Sequence, residues 1–433
     1  MASRAPLLAA LLLAAAGVAL AAAPEGFVQP RDPEGRFLNL DGSKPRGFGA
    51  FLRWQWDRLL GRTTRAPKRA PIPQVQPDLS LLRTPPGPGE GARLTWIGHA
   101  TWLVQLDGLS LVTDPVLSDS LPGFIGRNVP PAIPPGKLPR IDAALVSHNH
   151  YDHLDVQTLR SLGAPVVAGL GTERVLRRER LVGTTLGWWQ STRVGGVKIT
   201  FVPAQHFSQR SLGDRNEMLW GGFVVEGSSA TVYHAGDTAW FAGFRQIGER
   251  FAIDAALLPI GAYDPAWFMA PVHLSPEQAL RAFEDLGAGT FFAMHWGTFK
   301  LGDEPLDEPP RRLEAERVRR SLPPERVRVL AIGETAEVRR PAMPVAPAPP
   351  AAAPAAPSSR GAPAAAASRV EDPSANDPGA APSPDAQAVV PEPGAAPPAS
   401  PGRLAPAPSG AAEPDSTSVP VSATVRPPAP GQE

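Results

Sequence analysis

The sequence predicts an α/β fold in which two β-sheets are covered by helices, and three observations carry that expectation. From about Leu94 to Val338, apolar β-type runs, turns and helical periodicities alternate over a length sufficient for a two-layer core. The strand-like runs gather in two halves with helical segments between them. A dense histidine–aspartate cluster follows one of these runs directly, and further histidines and an aspartate follow others, as expected of a site along one edge of a sheet scaffold.

The chain opens with Arg4 as a short positive region, an Ala/Leu-rich stretch at Pro6–Leu20, and small residues at Ala19–Ala23 before Pro24. This is the pattern of a cleaved signal peptide over residues 1–23, and it predicts an exported protein of the periplasm or cell envelope. An uncleaved membrane anchor is the other reading, because the apolar run approaches spanning length. Residues 24–91 form an N-terminal extension of low regularity. Within it, Phe51-Leu-Arg-Trp-Gln-Trp-Asp-Arg-Leu-Leu60 would, as a helix, place Leu52, Trp56, Leu59 and Leu60 on one side, with Arg62, Arg65, Lys68 and Arg69 nearby. Such a helix suits peripheral contact with a membrane surface, or packs its apolar stripe on the main domain.

The main domain is predicted over residues 92–338. Leu94–Ile97, Thr101–Leu106 and Leu109–Thr113 read as strands, the last two joined by the hairpin dipeptide Asp107-Gly108. Further strands are predicted at Ala143–Ser147, Val197–Val202, Trp220–Val225, Thr231–His234, Ala255–Leu258, Phe291–Met294 and Val327–Ala331. Helices are predicted at Val156–Leu162, Thr172–Arg180, Trp240–Arg250, Pro276–Leu286 and Arg311–Arg320. Ser275 and Gln278 make a capping box with Pro276 at the first helical position. Residues 339–433 are dominated by Pro, Ala and Ser; from Pro341 onward they contain no aromatic residue, so they are expected to be a disordered tail.

Composition removes several function classes. The 433 residues carry no cysteine, which excludes disulfides, thiolate ligands and cysteine nucleophiles. The formal net charge is zero. No global field favours nucleic acid, and no basic stripe accompanies the site, which makes a nuclease the weakest enzymatic reading.

The chemistry concentrates in Ser147-His-Asn-His-Tyr-Asp-His-Leu154, directly after an apolar strand. Residues two apart on extended backbone point to one side, so His148 and His150 can approach one metal together. As the chain turns towards a helix, Asp152 and His153 swing round to serve a second. Imidazole nitrogen and carboxylate oxygen suit zinc, with iron or manganese as alternatives. One loop cannot complete two coordination spheres. His206, Asp237 and His295 each follow a predicted strand and are the candidates to complete them. Singly each is more often a structural residue; their repeated placement makes the case.

These residues, read with their surroundings, resemble the metallo-β-lactamase superfamily, and within it the N-acyl-phosphatidylethanolamine-hydrolysing phospholipase D family. The resemblance rests on Thr95-Trp-Ile-Gly-His-Ala-Thr101, Thr113-Asp-Pro115, the His148–His153 cluster, Trp188-Trp189, Pro203-Ala-Gln-His206 and Leu219-Trp-Gly221. It continues through Pro259-Ile-Gly-Ala-Tyr-Asp-Pro265, Trp267-Phe-Met269 and Met294-His-Trp-Gly-Thr-Phe299. It implies an αββα sandwich with His148, His150 and His206 on one metal, Asp152, His153 and His295 on the other, and Asp237 bridging two zinc ions. Asp152, Asp237 and His273 are then the candidate catalytic residues, with His273 hydrogen-bonding the phosphate or the leaving group unless it only packs.

Asp114 either orients a ligand histidine or forms an Asx turn before Pro115. His99 is expected to be a structural hydrogen-bonding residue and His234 at most a neighbour of the ligands. Trp188, Trp189, Trp220, Trp240, Trp267, Phe268 and Trp296 are expected mostly in the core, with some available to line an acyl-chain groove. The function implied is phosphodiester hydrolysis of a phospholipid by metal-activated water. A lactonase or other small-ester hydrolase is the alternative, and a non-catalytic metal-binding envelope protein a more distant one.

Overall fold

The structure, a computed structural model, describes residues 23–63, 66–123 and 125–340. The signal-peptide expectation, apart from Ala23, and the tail expectation from Pro341 onward lie outside the described residues. By contacts the chain divides into Met1–Pro350 and Ala351–Glu433, and everything below concerns the first of these units.

Two helices precede the main domain, α1 (Phe48–Leu59) and α2 (Leu79–Leu82). Strands then follow as β1 (Ala92–Gly98), β2 (Thr101–Leu106), β3 (Leu109–Thr113), a small hairpin of β4 (Ser120–Leu121) and β5 (Ile125–Gly126), and β6 (Ala143–Val146). After α3 (Val156–Leu162) come β7 (Val166–Gly169), α4 (Glu173–Glu179), β8 (Gly183–Leu186), β9 (Ser191–Val194), β10 (Val197–Val202), β11 (Gly222–Glu226) and β12 (Thr231–His234). The rest is α5 (Gly243–Arg250), β13 (Ala255–Pro259), α6 (Ala266–Met269), α7 (Pro276–Leu286), β14 (Thr290–Met294), α8 (Glu308–Arg319), β15 (Val327–Arg328) and β16 (Thr335–Val338).

Two seven-stranded sheets result, ordered β16-β1-β2-β3-β6-β7-β8 and β15-β14-β13-β12-β11-β10-β9. Strand alternation sets the layers. Trp102 and Val104 of β2, with Ala143 and Leu145 of β6, enter the core shared by both sheets, whereas Leu103, Ala144 and Val146 turn to a second core under α3 and α4. On the other sheet, Phe292 meets Trp102 edge-on across the sandwich at 6.0 Å, while Phe291 faces outward to Phe283 of α7 at 5.8 Å. The order of layers is therefore helix, sheet, sheet, helix, the αββα sandwich that the resemblance implies.

β3, β6 and β7 run parallel, as do β12, β13 and β14. Their carboxyl ends consequently open on one edge, where parallel α/β sheets present their sites. Six strands escape the sequence reading: β4, β5, β7, β8, β9 and β16. β4 and β5 are two residues each, β8 carries Gly183 and two threonines, and β9 and β16 alternate with charged residues at sheet edges, so none of these shows a continuous apolar run. β7 does, in Val166-Val-Ala168, but only over three residues before Gly169. α1 begins three residues earlier than its predicted start.

The extension ahead of β1 is laid over the sandwich. Phe37 is buried within the shared core, and Ile72 joins it. Trp54 of α1 is buried and stacks on Phe268 of α6 at 5.1 Å, while its Nε1 donates to Asp303 at 2.8 Å. Among the described residues, no helix is long and apolar enough to cross a membrane.

Candidate metal centre

The loop after β6 folds on itself because the N–H groups of His153 and Leu154 both donate to the His150 carbonyl, at 3.1 and 2.9 Å. That turn carries His150, Asp152 and His153 around one point. Asp114, which leaves β3 with a left-handed φ of 36°, anchors it from below. Its carboxylate accepts the Ser147 N–H and the Ser147 hydroxyl, each at 2.7 Å, and the His153 Nδ1–H at 2.7 Å. Asp114 therefore orients a ligand-type histidine rather than merely forming a turn. With its hydroxyl proton given to Asp114, Ser147 accepts from His148 Nδ1 at 2.9 Å. His206 donates from Nδ1 to the Val272 carbonyl at 2.8 Å. In each of these three rings Nδ1 is occupied by that outer partner, and Nε2 is the nitrogen that faces inward.

The inward atoms converge. His150 Nδ1 lies 2.9 Å from His148 Nε2 and 3.3 Å from His206 Nε2. Asp237 Oδ2 is 3.9 Å from each of the His148 and His206 Nε2 atoms, and 3.2 Å from His153 Nε2. Its Oδ1 is 3.1 Å from His295 Nε2. Asp152 Oδ2 sits 3.5 Å from both His153 Nε2 and His295 Nε2. All seven side chains named from the sequence are thus brought to one place, as two lobes with Asp237 between them. His273 joins them, its Nδ1 3.9 Å from Asp237 Oδ2.

Buried carboxylates and imidazoles perturb one another strongly in this space. Burial by itself would raise the Asp152 and Asp237 carboxyls, but the charge of His153 and the close imidazoles around them more than offset it, and both stay well below the usual carboxylate range. Burial would lower His153 and His295, yet the carboxylates dominate: His153 is held well above its ordinary value and His295 is raised to about 9. Burial and nearby imidazoles push His148 and His206 well below theirs, and burial takes His150 and His273 down to about 4. Asp237 Oδ1, His153 Nε2, His295 Nε2 and His273 Nδ1 are buried without a hydrogen-bond partner. Such orphaned donors and acceptors are costly unless something fills the space between them. Metal ions fit that requirement. His148, His150, His206 and Asp237 form one group of ligand atoms within 4.8 Å of one another, and His99, Asp152, His153 and His295 form another. The nitrogen and oxygen donors match zinc, iron or manganese chemistry.

Several residues important to this arrangement are not singled out for it by the sequence. His99, with a φ of 55°, lies in the site: its Nε2 is 3.1 Å from Asp152 Oδ2 and its ring 4.1 Å from that of His295. Its carbonyl also accepts the His295 N–H at 3.0 Å. The hydrogen-bonding role expected of it holds, but the partner is the site itself. Asn39, from the extension, accepts the His206 N–H at 3.1 Å and the Trp220 indole N–H at 3.0 Å. Arg210 donates to the carbonyls of Asn149 and Leu154 at 2.9 and 2.8 Å, bracing the cluster loop. No local pattern marks Asn39 or Arg210; each acts across a long stretch of chain. His234 points elsewhere, to the Ala100 carbonyl at 3.1 Å. Of the aromatics, Trp188, Trp189, Trp220 and Trp296 are buried, whereas Trp240, Trp267 and Phe268 are half-exposed.

Comparison with known proteins agrees with this geometry. A sequence profile of the β-lactamase superfamily domain matches residues 111–296. The chain is 37% identical over 309 residues to an uncharacterized protein of Mycobacterium tuberculosis, covering 66% of this chain and 79% of that one. It is 32% identical to a metal-dependent hydrolase of Methanopyrus kandleri, covering 57% of this chain and 99% of the relative. It is also 38% identical to N-acyl-phosphatidylethanolamine-hydrolyzing phospholipase D 1 of Caenorhabditis elegans, over 49% of this chain and 65% of that protein.

Proposed function

This chain belongs to the metallo-β-lactamase superfamily, and from that premise we propose that it is a dinuclear-metal phosphodiesterase acting on N-acyl-phosphatidylethanolamine-like phospholipids. The observation that carries the reading is the pair of four-residue ligand groups, one holding Asp237 and the other within 3.2 Å of it through His153. Structural metal sites are usually single and coordinatively closed, so a paired centre favours catalysis over a folding role. We assign His148, His150 and His206 to one zinc ion and Asp152, His153 and His295 to the other, with Asp237 shared; iron or manganese would suit the same donors. When bound, the pair supplies Lewis-acid charge and a water acidified towards pKa ~7.

The chain's own residues do the rest. Asp114, Ser147 and the Val272 carbonyl fix the ring faces of His153, His148 and His206, so the ligand lone pairs need no reorientation. Asp152 and Asp237 remain ionised and set the charge of the centre. His273, kept neutral by burial, holds an unpartnered Nδ1 beside Asp237. It is placed to hydrogen-bond a phosphoryl oxygen or the departing alkoxide. Attack of water in line at phosphorus breaks the bond to the head-group oxygen, giving phosphatidic acid and an N-acylethanolamine. The C. elegans relative's name supports that bond over a lactone, although this chain spans 65% of its length.

Elemental analysis beside a mixed-micelle assay tests the reading. We expect about two equivalents of metal and release of N-acylethanolamine, both abolished by chelation. Turnover of simple diesters or lactones without any turnover of the lipid would remove the substrate assignment, and metal-replete protein without hydrolytic activity would remove the enzyme. We also propose export to the cell envelope; N-terminal sequencing of protein from the native cell should begin near Pro24.

A further inference from the structure

Trp54 and Arg58 hold α1 against the domain. Trp54 is buried against Phe268, and Asp303 receives both the Trp54 indole at 2.8 Å and the Arg58 guanidinium at 3.1 Å. This turns Phe48, Leu52, Trp56 and Leu60, spaced four apart on one stripe, into solvent, with 59, 51, 58 and 47% of their surface exposed. Four large apolar side chains in line over successive turns make a surface that soluble proteins seldom leave bare.

A basic pocket of about 380 Å³ adjoins the start of this helix, because Gly47, the residue that caps α1, is part of its wall. Arg36, Lys44 and Arg215 line it, opposed there by a single acid, Asp32. Asp32 is 3.6 Å from Lys44, whose side chain is still 62% exposed. Arg215 donates to the Arg46 carbonyl at 2.9 Å and lies over the Phe207 ring at 5.3 Å, and Phe207 meets His150 at 4.6 Å. At the other side, α6 under Trp54 leads within four residues to His273. The face is therefore linked to the metal centre by packing through Arg215 and Phe207 and by the short stretch of chain from α6 to His273.

We propose that this face, the apolar stripe of α1 with the basic pocket at its start, docks the protein on an anionic phospholipid bilayer. The proposal rests on reading the centre as a phospholipid hydrolase and specifies how that enzyme meets its substrate. Apolar side chains in line, flanked by cations, are the composition of an interfacial helix. The charge is local: the whole chain is neutral, while the pocket carries three cations against one acid. A second copy of this chain applied about a twofold axis would bring like charges together, whereas an anionic lipid surface complements them.

Full-length protein should be sedimented with phosphatidylglycerol vesicles and with phosphatidylcholine vesicles, while hydrolysis of bis(p-nitrophenyl) phosphate is followed in solution. We expect preference for the anionic vesicles. Trp56→Glu should lower partitioning at least about tenfold. Lys44→Glu should lower it about fivefold or more. Turnover of the soluble diester should stay within twofold for both variants. Partitioning that is unchanged in Trp56→Glu, or indifferent to lipid charge, overturns the proposal. So does conversion of a wild-type dimer to monomer by Trp56→Glu without loss of vesicle binding, which would assign the stripe to a second copy. If the variants lose vesicle binding but the wild type hydrolyses no phospholipid, the docking face stands and the substrate reading falls.

Discussion

Asp114 makes no contact with the space between the two lobes, yet three hydrogen bonds at 2.7 Å converge on it from Ser147 and His153. Replacing it by Asn keeps the shape and removes the charge that holds the His153 Nδ1 proton. Loss of such an orienting partner typically weakens metal affinity about 10–100-fold. Asp114→Asn should therefore lose metal to a chelator at correspondingly lower chelator concentration while its circular dichroism stays native; unchanged affinity would mean that Asp114 only shapes the turn. Asp237 and His234 give a sharper contrast because they stand three residues apart. Asp237→Ala should deplete both metals, since the carboxylate lies between the lobes, whereas His234→Ala, whose ring bonds to the Ala100 carbonyl, should leave metal content nearly unchanged. Metal analysis of the two proteins side by side decides it. The seven ligand-type residues were legible because each follows a strand and carries ligand chemistry in its own side chain. His99 was legible only in part: its meaning depends on Asp152, 53 positions away, and Asn39 depends on His206, 167 positions away. Local spacing holds no record of such pairings.

The same distinction governs the elements. α7 was readable to its first residue because its start is written in side-chain chemistry: Ser275 Oγ accepts the Gln278 N–H and Gln278 Oε1 accepts the Ser275 N–H, with Pro276 between. Strands with both faces buried, such as β6 and β13, were readable as apolar runs. The edge strands were not, because their outward faces are polar and their pairing is decided by the partner; β16 exists as a strand through its register with β1 from Ala92–Val338 to Thr95–Thr335. The α7 cap has a measurable consequence. Ser275→Ala removes one half of the box and should cost about 1 kcal/mol. For a domain of this size that is about 2–4 °C in Tm. His273 lies two residues before the cap, so the same variant should raise KM or lower kcat modestly without changing metal content. A melting curve beside metal analysis separates this from damage at the ligands, because ligand damage would reduce both together.

At the scale of the whole chain, β16 is the last strand among the described residues, and it belongs to the core. Ala336 and Val338 are buried in the shared core, and the strand closes the open edge of β1. Beyond it, Arg340 still bonds back, its N–H to the Ser229 carbonyl at 3.0 Å and its guanidinium to the Thr231 hydroxyl at 2.8 Å. Two truncations a few residues apart should therefore behave very differently. Ending the chain at Arg340 removes the Pro/Ala-rich stretch and leaves every described strand in place. That protein should keep its Tm within about 2 °C, a surface-type effect, and turn over soluble diester at the full-length rate. Ending it at Glu334 removes β16, uncovers β1 as an unpaired edge and exposes the apolar side chains beneath. This shorter protein should melt far lower or aggregate on expression. Equal stability of the two truncations would show that β16 is dispensable, and loss of folding on ending at Arg340 would show that residues 341–433 contribute to the core, contrary to the composition that marks them as tail.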